Sequence, residues 1–284
     1  MHTITAISEV AMKPHSDSIV VLLHSSASTA HQWNALAQAL KMHFEVHAID
    51  LLGHGERAAW AGPAPMALAD EAAPVDALIA RRRGRLHLVG HSYGGALALD
   101  IARRHPRAVA SVVVYEPVLL RALHTDAAGT PELEGFRAAA ARVQAAVAAQ
   151  RVDDAAACFV DFWSGAGSWA HLSASRQAAV ASRMASVAHQ FDALYAADDP
   201  RAALAAQALP TLVLTGACTV PATRCIGELL EAAWPHAAHR RLPALGHMGP
   251  LTHAHDVNPV ITDFLLRQVD PARPRAALSE TTPA

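Results

Sequence analysis

Cysteine is scarce in this 284-residue chain. Cys158, Cys218 and Cys225 form neither an even set nor a C-x-x-C pair, which disfavours a disulfide scaffold and suits a reducing compartment. An excess of either charge is also lacking. Lys and Arg number 23 against 25 Asp and Glu, a formal net charge of −2 with histidine neutral. No basic surplus is present to hold a nucleic-acid backbone, and no acidic block reads as a disordered tail. Long apolar runs are missing as well. None approaches the roughly 18 residues of a membrane span, and the first residues, MHTITAISEVAMKPHSD, carry neither the basic start nor the apolar run of a signal peptide. The expected class is a soluble cytoplasmic enzyme acting on a small molecule. No cofactor, metal, nucleic-acid or membrane partner is expected, and a homodimer is compatible with the composition.

Apolar residues, in contrast, make up 52% of the chain against 17% charged, enough to bury a large core. Histidine is abundant too: 18 of them, each able to gain a proton near pH 6–7 and turn the net charge positive. Short apolar runs rich in β-branched residues recur along the chain. Ser18–Leu23, Phe44–Ile49, Leu86–Val89, Val109–Tyr115 and Thr211–Thr215 read as buried strands, and continuous apolar runs of this length fit a parallel sheet covered on both faces. Helical patterns lie between them, at Trp33–Leu40, Asp70–Arg82 and Gly95–Arg104, the last closed by Pro106. The alternation predicts an α/β fold: a mostly parallel open sheet flanked by helices, with its chemistry at the C-terminal strand edge.

That rhythm stops from about Pro117 to Ala206, where the sequence is alanine-rich and has no strand run. Helices are expected at Phe136–Val152, Ala155–Trp163, Ala174–Ala188 and Asp199–Ala208. The domain reading is a core of residues 1–116 and 207–284, a helical lid over 117–206, and a frayed tail over 269–284.

Gly90-His91-Ser92-Tyr93-Gly94 follows one predicted strand and precedes a helix. A sharp strand-to-helix turn holds such a serine in a strained conformation and leaves little room two residues to either side, hence the glycines. The helix N-terminus also directs N–H groups toward a developing oxyanion. In this motif the chain resembles the α/β-hydrolase family, and the resemblance extends over almost the whole sequence. His24-Ser25-Ser26-Ala27-Ser28 is similar to the family's oxyanion loop with serine in place of glycine. The resemblance implies Ser26 and Tyr93 N–H as oxyanion donors, with Ser25 and His91 at the substrate. Asp50-Leu51-Leu52-Gly53-His54-Gly55 resembles the family's D-x-x-G-x-G loop, which more often shapes the pocket than does chemistry.

Gly246-His247-Met248-Gly249-Pro250-Leu251 follows a predicted last strand, His239–Leu242, and precedes a helix, Val257–Gln268. It resembles the family's catalytic histidine loop, so His247 is implied as the base for Ser92. The competing reading is a metal cluster of His247, His253, His255 and Asp256, although nothing else matches a hydrolytic zinc motif. The acid departs from the common pattern. The loop after Thr211–Thr215, Gly216-Ala217-Cys218-Thr219-Val220-Pro221, has no carboxylate. The available substitute is Glu116, at the preceding strand end, where one group of haloalkane dehalogenases keeps its acid. Alternatives are a Glu116 that only caps the sheet or pairs with an arginine, and a Ser92–His247 dyad helped by Thr219 or a water.

Trp163 and Trp169 stand in an aromatic stretch of the insertion, with Phe159, Phe162, Phe191 and Tyr195 also there, in a chain only 5% aromatic. They are expected either to line an apolar substrate cleft or to pack the lid onto the core. No charged cluster in the insertion marks a phosphate or carboxylate handle. The resulting expectation is a serine hydrolase cleaving a small to medium apolar ester, lactone or thioester through an acyl-enzyme. Carbon–carbon hydrolysis or perhydrolysis on the same groups, or a hydrolase-like sensor of low turnover, are the alternatives. Dehalogenation and epoxide opening need a carboxylate where Ser92 stands.

Overall fold

The computed structural model describes residues 18–82, 84–126, 130–270 and 272. The expected tail falls outside these from residue 273 onward, as does the N-terminal segment through residue 17. The β-branched runs form six strands: β1 (Ser18–Leu23), β2 (Glu45–Ile49), β3 (Arg85–His91), β4 (Val109–Tyr115), β5 (Thr211–Gly216) and β6 (Ala238–Leu242). They lie in the order β2-β1-β3-β4-β5-β6, and every pairing is parallel. Parallel strands require crossover helices, and the chain provides them: α1 (Asn34–Leu40), α2 (Leu68–Arg81) and α3 (Tyr93–Arg104).

Among the described residues, six α-helices lie between β4 and β5: α4 (Leu120–Thr125), α5 (Thr130–Ala148), α6 (Val152–Ser164), α7 (Ala174–Ala181), α8 (Met184–Ala196) and α9 (Arg201–Gln207), with a short 3-10 turn at Ser168–His171 between α6 and α7. The chain closes with α10 (Pro221–Ala233), α11 (Gly249–Thr252) and α12 (Ala254–Val269). The single helix expected over Ala174–Ala188 is two, separated at Ser182–Arg183.

Side chains alternate between the sheet's two faces. Val20, Leu22, Val113, Leu212 and Leu214 pack with Leu36 and Leu40 of α1 and with Val257, Ile261 and Leu265 of α12. Val21, Leu23, Leu88, Val112 and Val114 pack on the opposite face with α2, α3 and α10, in a core that continues into the inserted helices. Phe136, 2% exposed, is the hub of that continuation. Its ring meets Phe162, Trp163, Phe191 and Tyr195 at centroid distances of 6.0, 6.0, 5.6 and 6.3 Å, the edge-on arrangement that aromatic quadrupoles favour. Phe136→Ala is expected to cost about 3–5 kcal/mol, read as a lower denaturant midpoint. A shift below about 1 kcal/mol would mean that the cluster does not hold the helices down.

The strand order reverses between β1 and β3, whose neighbours run outward in opposite directions. Such a switch point leaves a crevice beyond the C-terminal strand ends. Register fixes what stands there. His91 pairs with Tyr115 across β3 and β4, so Ser92 and Glu116, each one residue further on, share the crevice floor.

Candidate active site

Ser92 sits at φ 56°, ψ −118° between β3 and α3, a strained conformation for a residue with a side chain. It persists because the surroundings over-determine it. Ser92 N–H donates to Tyr115 O at 3.0 Å, and Ser92 O accepts from Gly95 and Ala96 N–H at 3.0 and 3.1 Å. The tightness of the turn also explains two of the motif's glycines. A Cβ on Gly90 would stand 2.2 Å from Gly94 O, and one on Gly94 would stand 2.4 Å from the carbonyl oxygens of Leu23 and His24.

His247 Nε2 lies 2.9 Å from Ser92 Oγ, and its Nδ1 lies 2.7 Å from Glu116 Oε2. All three side chains are buried, with relative exposures of 5%, 2% and 1% for Ser92, His247 and Glu116. Glu116, itself at φ 43°, takes two further bonds. Gly216 N–H donates to Oε1 at 2.7 Å and Thr219 Oγ to Oε2 at 2.6 Å. The loop after β5 therefore brings donors where a carboxylate was sought. With Glu116 ionised, Nδ1 of His247 carries the proton and Nε2 is left to accept from the Ser92 hydroxyl.

A second hydrogen-bonded chain runs beneath. Ser25 N–H and Oγ donate to Gln32 Oε1 at 3.2 and 3.1 Å, Gln32 Nε2 bonds His91 Nδ1 at 3.1 Å, and His91 Nε2 bonds His247 O at 2.8 Å. Burial first, then the neighbouring His247, pushes the His91 pKa well down, so the ring is neutral and donates through one nitrogen only. Tyr115 Oη donates to the adjacent carbonyl, Gly246 O, at 2.8 Å. The peptide carrying His247 is thus held at two successive carbonyls.

Two more neutral histidines fix the loop after β1. His24 donates from Nδ1 to Ser25 O at 2.7 Å and accepts Leu51 N–H on Nε2 at 3.0 Å. His54 donates to Leu52 O at 2.9 Å and accepts Ala27 N–H on Nε2 at 3.1 Å. Burial is the chief cause that lowers their pKa values, to about 3 and about 4. Asp50 joins in by accepting Ala30 N–H at 2.7 Å and Glu56 N–H at 3.2 Å. Among the described residues no acceptor meets Ser26 N–H or Tyr93 N–H, the two donors named from the sequence.

A cavity of about 380 Å³ opens beside this arrangement, between the 26–29 loop, α6, α7 and the turn at Met248. Ser26 and Trp163 line it. Trp163 also stacks on the His247 ring at 4.1 Å and 21°.

Three expected substrate contacts need correction. Ser25 is 3% exposed with its hydroxyl turned to Gln32. His91 is fully buried under His247 and supports that loop rather than forming a wall. Trp169 lies outside the cavity lining, with its N–H tied to Asp161 Oδ1 at 2.8 Å. The four groups of the alternative metal site do not converge. His247 faces Ser92 and Glu116, whereas His255 is 77% exposed and 3.3 Å from Asp256, and among the described residues no group of three His, Cys, Asp or Glu is placed to hold a metal ion. No described helix is long and apolar enough to cross a membrane.

Residues 20–260 match the model of the alpha/beta hydrolase family. The chain belongs to that family. This alpha/beta hydrolase is 27% identical over 270 residues to the putative carbamate hydrolase RutD of Pantoea ananatis, a match covering 92% of this chain and 93% of that protein. It is 34% identical to lipase LipV of Mycobacterium tuberculosis, but over 107 residues only, 37% of this chain and 40% of the lipase. Among solved structures, a hydrolase from Pseudomonas aeruginosa PA01 superposes with a TM-score of 0.69 at 26% identity, covering 88% of this chain and 90% of that one. The hydrolase fold and its enzyme class are therefore established. Sequence reasoning missed the support of this alpha/beta hydrolase's site, namely Gln32, His24, His54 and Tyr115. His54 stood in the D-x-x-G-x-G stretch already singled out; Gln32 and Tyr115 carried no local signal.

Proposed function

We propose that this alpha/beta hydrolase is a serine hydrolase that cleaves small to medium apolar esters, lactones or thioesters through an acyl-enzyme. Ser92 Oγ attacks the carbonyl carbon while His247 Nε2 takes its proton. Ser26 and Tyr93 N–H receive the oxyanion. His247 then returns the proton to the leaving group, and a water deprotonated by the same nitrogen attacks the acyl carbon and frees Ser92. Glu116 holds the imidazole in its tautomer and offsets the imidazolium.

The observation that carries this reading is the unbroken Ser92–His247–Glu116 chain at 2.9 and 2.7 Å. It favours an enzyme over a slow sensor, since the acid lacking from its usual loop has a buried replacement. The helices from α4 to α9 serve as the lid, with α6 facing the site through Trp163.

A fluorophosphonate probe is expected to label the wild type and not Ser92→Ala, and a panel of short-chain esters, lactones and thioesters should be turned over by the former alone. An unlabelled wild type that leaves the whole panel intact would refute the proposal.

A further inference from the structure

The cavity beside Trp163 is apolar along much of its wall, through Phe159, Val180, Met248 and Leu251, yet two arginines also line it, Arg176 of α7 and Arg183 between α7 and α8. Neither is within ion-pair distance of a carboxylate among the described residues; Arg176 is exposed to solvent, but Arg183 is partly buried, and the comparably buried Arg57, Arg104 and Arg201 each have a carboxylate, at 3.1, 3.1 and 2.7 Å. A partly buried guanidinium without a counter-charge is costly to hold unless something else supplies the charge. Arg183 is half-buried, and the one side-chain bond it makes among the described residues, Nη1 to Ala27 O at 3.1 Å, goes to a neutral carbonyl. Burial lowers its pKa, with Asp50 acting the other way from a distance. Asp50 is already engaged by Ala30 and Glu56 N–H.

The position of this pair relates it to the reacting groups. Ala27 follows Ser26, Met248 follows His247, and Trp163 borders both the cavity and the imidazole. A molecule with its carbonyl at Ser92 and an aliphatic stretch along the apolar wall brings a second group to the guanidiniums. Ser28 and Thr29, at the same wall, add hydroxyl donors. Planar guanidinium forks suit oxyacid anions.

We infer that the substrate is an ester or thioester whose aliphatic portion ends in an anionic oxyacid group, a carboxylate or phosphate, held by Arg176 and Arg183. The inference rests on the acyl-transfer reading above and replaces its wholly apolar substrate with one that is apolar along its length and anionic at its end. It also revises the expectation that the insertion offers no anion handle. Arg176 on α7 and Arg183 in the turn that follows it make no cluster in the sequence; the fold brings them to one wall.

The test compares 4-nitrophenyl butyrate with the 4-nitrophenyl hemiester of glutaric acid and with a 4-nitrophenyl ester ending in a phosphonate. The wild type is expected to favour at least one anionic ester by about tenfold or more in kcat/KM. High salt should shrink that preference, and the better of the two anionic esters identifies the group. Arg176→Gln and Arg183→Gln should each carry the anionic-to-neutral ratio toward one, and the lysine variants should retain part of it. A wild-type ratio near one for both anionic esters, or one unchanged in both glutamine variants, would overturn the inference while leaving the hydrolase reading intact. A binding measurement needs no turnover. Calorimetric titration of Ser92→Ala with glutarate and with a phosphonobutyrate should show binding that weakens by about tenfold when either arginine becomes glutamine. No binding of either anion would likewise overturn the inference, even if no ester were cleaved and the hydrolase reading had itself failed.

Discussion

Glu116→Gln is expected to lower kcat on a short-chain ester by about a thousand- to ten-thousand-fold, the size of effect seen when a triad acid becomes its amide, with the fold retained. The cause lies in how the carboxylate is held. Gly216 N–H, 2.7 Å from Oε1, can only donate, so the amide oxygen of glutamine must take that place. Its NH₂ then occupies the Oε2 position, facing Thr219 Oγ and His247 Nδ1. The threonine hydroxyl can turn and accept; the imidazole adapts only by moving its proton to Nε2. That tautomer presents a donor to Ser92 Oγ and has nothing with which to accept the serine proton. Circular dichroism and the denaturant midpoint check folding, and steady-state kinetics check the loss. A variant within about tenfold of wild-type kcat would leave Glu116 a structural cap and return the site to a dyad.

The second large effect concerns acid. Buried histidines that stay neutral in the folded chain but protonate once unfolded withdraw stability as pH falls. Burial, as the largest cause, lowers the pKa values of His24 to about 3, His54 to about 4 and His87 to about 4. The unfolded chain binds these protons below about 6.5. The penalty is thus absent above that pH and grows by about 1.4 kcal/mol per pH unit per histidine, until each folded-state value is reached. At pH 5 the three together cost about 6 kcal/mol, comparable with the whole stability of an ordinary domain. His91, lowered in the same direction, adds to it. Glu71 acts oppositely, since burial raises its pKa and its protonation relieves strain as pH falls, but one carboxyl does not offset several imidazoles.

Geometry makes the effect steep. Nε2 of His24 and Nε2 of His54 each accept a backbone N–H, so a proton on either nitrogen sets donor against donor. Urea titrations at pH 7, 6 and 5 should show stability falling sharply below pH 6.5, and acid unfolding is expected near pH 5. A flat profile over that range would show that these rings titrate normally.

The strands were legible because buried parallel strands are written as continuous β-branched runs, and all six agree with the observed spans to within a residue or two. β6, with His239, Arg240 and Arg241 on an edge strand, was readable mainly from its place before the His247 loop. The insertion was harder. Alanine satisfies both faces of a helix, so the break at Ser182–Arg183 carried no periodic mark. For the site, Ser92 and His247 stood in recognisable loops, and Glu116 was found only because the next loop had no acid. Ser25 and His91 were placed at the substrate because sequence adjacency to a site does not reveal which way a side chain turns. Here each turns inward, toward Gln32 and the His247 carbonyl.

Trp163 lies flat on the imidazole of His247, and an indole's emission is sensitive to whether a ring in van der Waals contact is charged. A neutral imidazole is a mild neighbour; an imidazolium draws electron density from the excited indole and quenches it. Light from this one tryptophan, isolated by subtracting the spectrum of Trp163→Phe, is therefore expected to respond to a proton arriving on that ring. If Ser92 passes its proton to His247 as proposed, that emission should follow turnover with neither a dye nor a chromogenic leaving group.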